Sequence, residues 1–452
     1  MKKILIHRAR IVNEGKKFIG SVLIEGEDIA KVYTAPDKID IPAGCEVIEA
    51  EGKLLLPGVI DDQVHFRDPG LTHKGDLATE TRAAVAGGIT SIMEMPNTIP
   101  QTITNGLLRE KHKIAAEKSV TNYSFYLGAT NDNIDEIKKI DPAVVCGVKV
   151  FMGASTGNML VDKEESLRNI FSEAPGIVAC HCEDETTIRN NTKAYIEEYG
   201  EDMPFSYHPL IRSRDACLKS SALAVRLARE YGTRLHILHL STAGEMELFD
   251  NSIPLEEKKI TAEVCVHHLW FDDTWYQEKG ALIKWNPAIK TPFDRKALLD
   301  AVKNDKIDII ATDHAPHTLE EKSQVYTKSP SGGPLVQHSL VAMLDLWHLG
   351  EIELEKIVEK MCHNPATLFG VEKRGFIRPG YRADLVLVDP DRRWEVTPEN
   401  ILYKCGWSPF MGHRFRSSVI STFVNGNRVW NEGVIEDSFR GQPLSFATRK
   451  NP

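Results

Sequence analysis

The chain changes its hydrophobic rhythm twice. Its first fifty-odd residues carry short Val/Ile-rich runs at 3–13, 20–25 and 46–50, broken by Glu14-Gly15, Gly26-Glu27 and a Pro/Asp/Lys stretch near Pro36. Branched aliphatic runs between turn formers predict a small antiparallel sheet. The same texture returns at 383–389 and 418–426, so the two ends are expected to share one small β domain. The middle differs. Continuous apolar runs at 58–61, 90–94, 122–127, 144–151, 177–181, 235–240, 260–266 and 307–312 alternate with amphipathic stretches at 76–86, 106–118, 163–172, 216–231, 243–249 and 292–302. Buried parallel strands read as unbroken apolar runs, and eight of them alternating with helices predict a (β/α)8 TIM-type barrel. A doubly wound open sheet is the alternative. The expected division is a small β-sandwich domain from residues 1–55 and 376–452, with the barrel at 56–375.

Composition narrows the function classes. The 452 residues are 42% hydrophobic and 26% charged, ordinary for a globular protein, with ample length for a large core. A net charge of -9 argues against a nucleic-acid or anionic-membrane partner, since both call for a basic surface. The opening run is broken by His7, Arg8 and Arg10, and no run approaches the ~18 apolar residues of a membrane span. The eight cysteines are scattered without a C-x-x-C, which fits a reduced compartment. The expectation is a cytoplasmic protein.

In a barrel, chemistry sits at the C-terminal ends of the strands. The first predicted strand leads into His65 and Arg67, the fifth ends at His181, the sixth at His239, and the eighth at Asp313-His-Ala-Pro-His317. Imidazole and carboxylate suit zinc or a similar divalent ion, with an open position left for hydroxide. One strand-end histidine is usually a satisfied core or surface group, and His236, His267 and His268 fit that reading or a supporting one. Three imidazoles and a carboxylate at four strand ends are harder to assign to chance. Lys149 lies inside the apolar fourth strand, where burial drives an ammonium toward the neutral amine. A neutral amine beside a metal can take up carbon dioxide as a carbamate, whose two oxygens can bridge cations. The alternative is a buried ion pair with Asp313.

Several motifs carry a resemblance: Leu56-Pro-Gly-Val-Ile-Asp61, Val64-His-Phe-Arg-Asp-Pro-Gly70, Gly87-Gly-Ile-Thr90, Met95-Pro-Asn-Thr98, Lys149-Val-Phe-Met152, His239-Leu-Ser-Thr242, Thr312-Asp-His-Ala-Pro-His317, Asn364-Pro-Ala and Pro379-Gly-Tyr-Arg-Ala-Asp-Leu385. In this order they resemble the dihydroorotase family of the amidohydrolase superfamily over nearly the whole chain. The resemblance implies zinc, one or two ions per subunit, held by His65, Lys149 as its carbamate, His181, His239 and Asp313. It implies interconversion of L-dihydroorotate and N-carbamoyl-L-aspartate in pyrimidine synthesis. Hydroxide on the metal would attack the ring carbonyl, and Asp313 would serve as base and then acid. Substrate contacts would be Arg67, Asn97, Asn286, His317 and the backbone of Ser331, Gly332 and Gly333. It also implies a homodimer and, in some relatives, association with aspartate transcarbamoylase.

One position departs from the family: the first histidine of the usual His-x-His is Gln63, a poorer zinc ligand. That leaves one metal or two open, and keeps open a metal-free scaffold. Hydantoinase-like and allantoinase-like enzymes share the metal residues; Arg67, a fork suited to a substrate carboxylate, separates them from this chain. The polar stretch 318–330 reads equally as a substrate lid or a solvated excursion.

Overall fold

The computed structural model describes residues 2–35, 39–153 and 159–447. Eight parallel strands pair in sequence order from Val59–Val64 to Ile309–Ala311. The strands between them are Ile89–Glu94, Asn122–Gly128, Gly147–Phe151, Val178–His181, Leu235–Ile237 and Ile260–Cys265, and nearly every residue in the eight is buried. The ring closes where the first strand meets the eighth: a parallel bridge joins Val64 to His314, and His65 N donates to His314 O at 2.7 Å. Thr312 Oγ1 also donates to Asp61 Oδ2 at 2.6 Å. The architecture is a nearly closed (β/α)8 barrel.

Helix starts follow the local capping chemistry. Leu77–Ala86 opens on an Asp76/Thr79 capping box and Pro292–Lys303 on a Thr291/Asp294 box. Arg214–Tyr231 begins behind Ser213 and ends at Gly232, whose φ of 71° a glycine adopts without steric cost. Besides several short helices, two longer ones lie where the sequence pattern predicted none. Glu185–Tyr199 buries only Ile188, too little for a visible stripe, whereas Ser339–His348 is apolar and buried around most of its girth. The stretch predicted at 243–249 is a 3-10 helix, Ala243–Leu248.

The chain ends meet in one nine-stranded sheet. Leu54–Pro57 runs antiparallel to Leu385–Asp389, which stitches the N-terminal strands to the C-terminal ones. The sheet is mixed where the pattern predicted an antiparallel one: Glu46–Glu49 and Leu54–Pro57 both run parallel to Lys3–Asn13. The pattern shows alternation but not direction, so this difference was not readable. Segment 318–330 is fastened down from within. Lys322 Nζ donates to the carbonyls of Pro330 and Gly332 at 2.9 Å each, and Lys284 Nζ to those of Tyr326 and Ser329 at 2.7 and 2.6 Å. Two buried lysines thus replace the solvation a free excursion would have. No helix among the described residues is long and apolar enough to cross a membrane.

Candidate active site

Strands six and eight stop sooner than their apolar runs, because the residues just beyond them turn left-handed. His239 has φ 40° and Asp313 φ 48°; Arg67, three residues past the first strand, has φ 68°. A non-glycine residue pays about 1 kcal/mol or more for that conformation, so the surrounding packing must hold it. All three side chains face one cavity at the C-terminal mouth of the barrel. Its wall holds Gln63, His65, Arg67, Asn97, Lys149 and Phe151, then His181, His239, Trp285, Asn286, Asp313, Ala315, Ser331 and Gly332; the empty volume is about 450 Å³, part of it open solvent.

The ligand candidates fall into two pairs. In the first, His65 Nδ1 donates to Asn97 Oδ1 at 2.6 Å, which leaves the bare Nε2 of the neutral ring 3.1 Å from Asp313 Oδ1. In the second, the ionised Glu183 Oε2 lies 3.1 Å from His181 Nε2, not aligned as a hydrogen bond but close enough to favour the ring proton on that nitrogen. The opposite nitrogen, Nδ1, faces His239 Nε2 at 3.0 Å. Burial lowers the pKa of all three imidazoles and so favours their neutral, metal-binding form. Glu183 stays ionised: burial alone would raise its pKa, but the Arg212 guanidinium against it holds it at about 2.

Lys149 lines the same cavity. Its Nζ sits 4.6 Å above the Phe151 ring, while Asp313 Oδ1 accepts from Gln63 Nε2 and faces His65 Nε2. Burial lowers its pKa to about 8. The amine is therefore available in its neutral form close to neutral pH. Gln63, the family's missing histidine, has a defined orientation. Cys265 Sγ points at its Oε1 (3.7 Å), and its Nε2 donates to Asp313 Oδ1 at 3.2 Å. The amide presents a donor to the carboxylate and turns its oxygen toward the thiol.

Arg67 donates through Nε to Pro316 O and through Nη2 to His317 Nε2, both at 3.1 Å. Two acids that could have paired with it are taken elsewhere: Asp68 pairs with Lys118 and Glu94 with Lys111. Burial brings the guanidinium pKa down to about 10, still charged at neutral pH. His317 stands behind Arg67 and opens onto a neighbouring recess with Leu71, Lys74 and Thr98. Gly333 also stands back from the cavity wall. Its carbonyl accepts from Ala315 N at 2.9 Å, and a Cβ there would come 2.7 Å from Trp285. Asn286 Oδ1 is buried with no hydrogen-bond partner.

Sequence reasoning missed Phe151, Trp285 and Ala315 on the wall. Phe151 was within reach, because it lies two residues beyond Lys149 on the same strand and so on the same face. Trp285, whose Nε1 lies 3.4 Å from Asp313 O, gave no signal apart from its neighbour Asn286.

The barrel and the terminal sheet have counterparts among known proteins. The amidohydrolase family profile matches residues 54–429, and the chain belongs to that family. It is a cyclic amide hydrolase. Curated relatives include a dihydroorotase of Halobacterium salinarum, 32% identical over 96% of this chain and 98% of its own, and a dihydroorotase of Pyrococcus abyssi, 32% identical over 97% and 98%. Among solved structures, the L-hydantoinase (dihydropyrimidinase) from Arthrobacter aurescens superposes with a TM-score of 0.92 at 28% identity, covering 98% of this chain and 100% of that one.

Proposed function

We propose that the chain is a dihydroorotase, opening L-dihydroorotate to N-carbamoyl-L-aspartate and closing it again in pyrimidine synthesis. The observation that carries this reading over the hydantoinase one is Arg67: a buried guanidinium at the cavity wall, bonded to a carbonyl and an imidazole instead of a carboxylate. Hydantoin has no carboxylate to meet it; dihydroorotate does. The named relatives support the same substrate.

The donor set fits divalent metal. Bare imidazole nitrogens and a carboxylate oxygen face one another across 3.0 and 3.1 Å, close to the ~3.3 Å separating two ligands of a tetrahedral zinc ion. His65 and Asp313 would hold one cation, His181 and His239 the other, with the Lys149 carbamate as the bridging ligand. The metal, when bound, polarises the ring carbonyl and acidifies water. The chain's own residues do the remainder. Arg67 takes the substrate carboxylate in its planar fork and fixes the ring's orientation. Asn97 and Asn286 offer amide groups to the ring edge, as do the backbone groups of Ser331 and Gly332. Asp313 accepts the proton of the attacking water and delivers it to the departing amide nitrogen, with the path reversed in synthesis.

Purified, zinc-loaded protein is expected to convert L-dihydroorotate, and to cyclise N-carbamoyl-L-aspartate, much faster than it opens hydantoin or allantoin. Turnover of hydantoin or allantoin with dihydroorotate untouched would sink the assignment.

A further inference from the structure

Beneath the rim lies a second group of ligand-type side chains that the reaction does not use. Asp62, His236 and Glu263 come from the first, sixth and seventh barrel strands, and each is 0% exposed. His236 Nε2 lies 3.3 Å from Asp62 Oδ2 and 3.5 Å from Glu263 Oε2. None of these contacts is aligned as a hydrogen bond: both Asp62 carboxylate oxygens, His236 Nε2 and Glu263 Oε2 are buried without a partner. Leaving buried polar atoms unpaired costs about 1–3 kcal/mol each, more for charged ones, so four together call for something between them.

The proton inventory indicates what that is. Thr261 Oγ1 donates its only hydrogen to Leu235 O at 3.1 Å. Toward His236 Nδ1, 2.9 Å away, the hydroxyl can therefore only accept, and the ring carries its proton on Nδ1. Burial works against the charge, yet the two carboxylates raise the His236 pKa to about 9, so without a cation the ring is an imidazolium. A cation that displaces the Nε2 proton would meet a lone pair aimed at two carboxylates. Glu263 is oriented as well: its Oε1 is occupied by His239 N at 3.3 Å and by Cys265 Sγ at 3.5 Å, leaving Oε2 turned to the cluster. An oriented imidazole backed by a hydroxyl, with carboxylates beside it, is how proteins prepare metal ligands.

We infer that Asp62, His236 and Glu263 form a separate buried site for a zinc-class divalent cation. The spacings support the class. Zinc with bonds of ~2.0–2.1 Å sets tetrahedral ligands roughly 3.3–3.4 Å apart, near the 3.3 and 3.5 Å seen here. Two carboxylates neutralise the ion, and Asp62 can supply both oxygens to complete four donors. Calcium would want more oxygens at longer distance and no imidazole. The site shares no ligand with the rim set, yet the Glu263 that would hold its cation also holds the backbone of His239. Its cation would therefore brace the reaction centre from below.

The test uses the full chain, stripped of metal, crystallised with zinc alone and mapped by anomalous scattering at the zinc edge. Metal is also counted in wild type, Asp62→Asn and Glu263→Gln. A peak ~2 Å from His236 Nε2, and a metal count lower by one equivalent in both variants, is the expected result. Rim density without a peak at the cluster would show that a proton, shared by an imidazolium and the two carboxylates, fills the gap, and would overturn the inference. An unchanged metal count in folded Asp62→Asn would do the same. If the variants do not fold, the wild-type map decides alone. None of these readouts depends on which ring the enzyme opens.

Discussion

The two ligand pairs at the rim are built alike and supported differently. In each, an outer contact draws the ring proton away from the nitrogen that faces the cavity. For His65 that contact is the neutral amide of Asn97; for His181 it is the ionised Glu183 carboxylate, itself clamped by Arg212. A carboxylate behind an imidazole raises its basicity as a ligand more than an amide does. On the proposed reading, the His181/His239 side would therefore be the stronger cation holder. The His65/Asp313 side carries the carboxylate proposed to move the proton, with Gln63 donating to it and Arg67 alongside on the cavity wall. One side would then keep metal, and the other would handle substrate and protons.

The change expected to do most damage strikes both sides together. Lys149→Ala removes the only residue proposed to bridge them. Activity should fall by about three orders of magnitude or more, with loss of metal, as for removal of a Lewis-acid centre. Short carboxylic acids should restore part of it by standing in for the carbamate. In wild type, uptake of carbon dioxide needs the neutral amine. With burial bringing the folded pKa down to about 8, reactivation of stripped protein at a fixed concentration of dissolved carbon dioxide should quicken as pH rises through about 8 and level off above it. Full activity in the variant, or reactivation with no pH dependence between about 6 and 9, would remove the bridge and leave two independent sides.

Arg67→Met probes the substrate side alone. A charged, buried hydrogen-bonding pair with the substrate carboxylate is worth about 2–3 kcal/mol, so KM for dihydroorotate should rise on the order of 30–150-fold. Metal content should stay at the wild-type level. If metal is lost instead, Arg67 is holding the rim together through Pro316 and His317, and the division of labour between the sides fails.

These assignments divide by how much of each one was local in sequence. His65, Lys149, His181, His239 and Asp313 were readable because each is a polar residue in or directly beyond an apolar strand, and the barrel rule converts that position into a place on one rim. The backing was not readable. Cys265 reaches Gln63 across 202 residues, and Asp62, His236 and Glu263 meet only because three distant strands line one interior. The tethering of 318–330 was hidden for a related reason: a polar stretch looks solvated until the two buried lysines that occupy its carbonyls are placed. The strand ends at His239 and Asp313 were set too late because left-handed turns at non-glycine residues leave no compositional mark.

Gln63 offers the finest discrimination between the two sides. If its job is to hold Asp313 with a donor, Gln63→Leu removes one hydrogen bond to the proton-moving carboxylate and little else. The expected result is a fall in kcat of about tenfold, the usual scale for a group that orients a ligand or base, with KM unchanged. Metal counted per chain should hold, because the His181/His239 pair lies across the cavity and Gln63 supplies no bond to it. Two results would redraw this picture. Loss of one metal equivalent would make the amide oxygen a ligand despite its orientation toward Cys265. An unchanged kcat would mean that Asp313 keeps its place without this hydrogen bond and that the amide merely fills the volume of the absent imidazole.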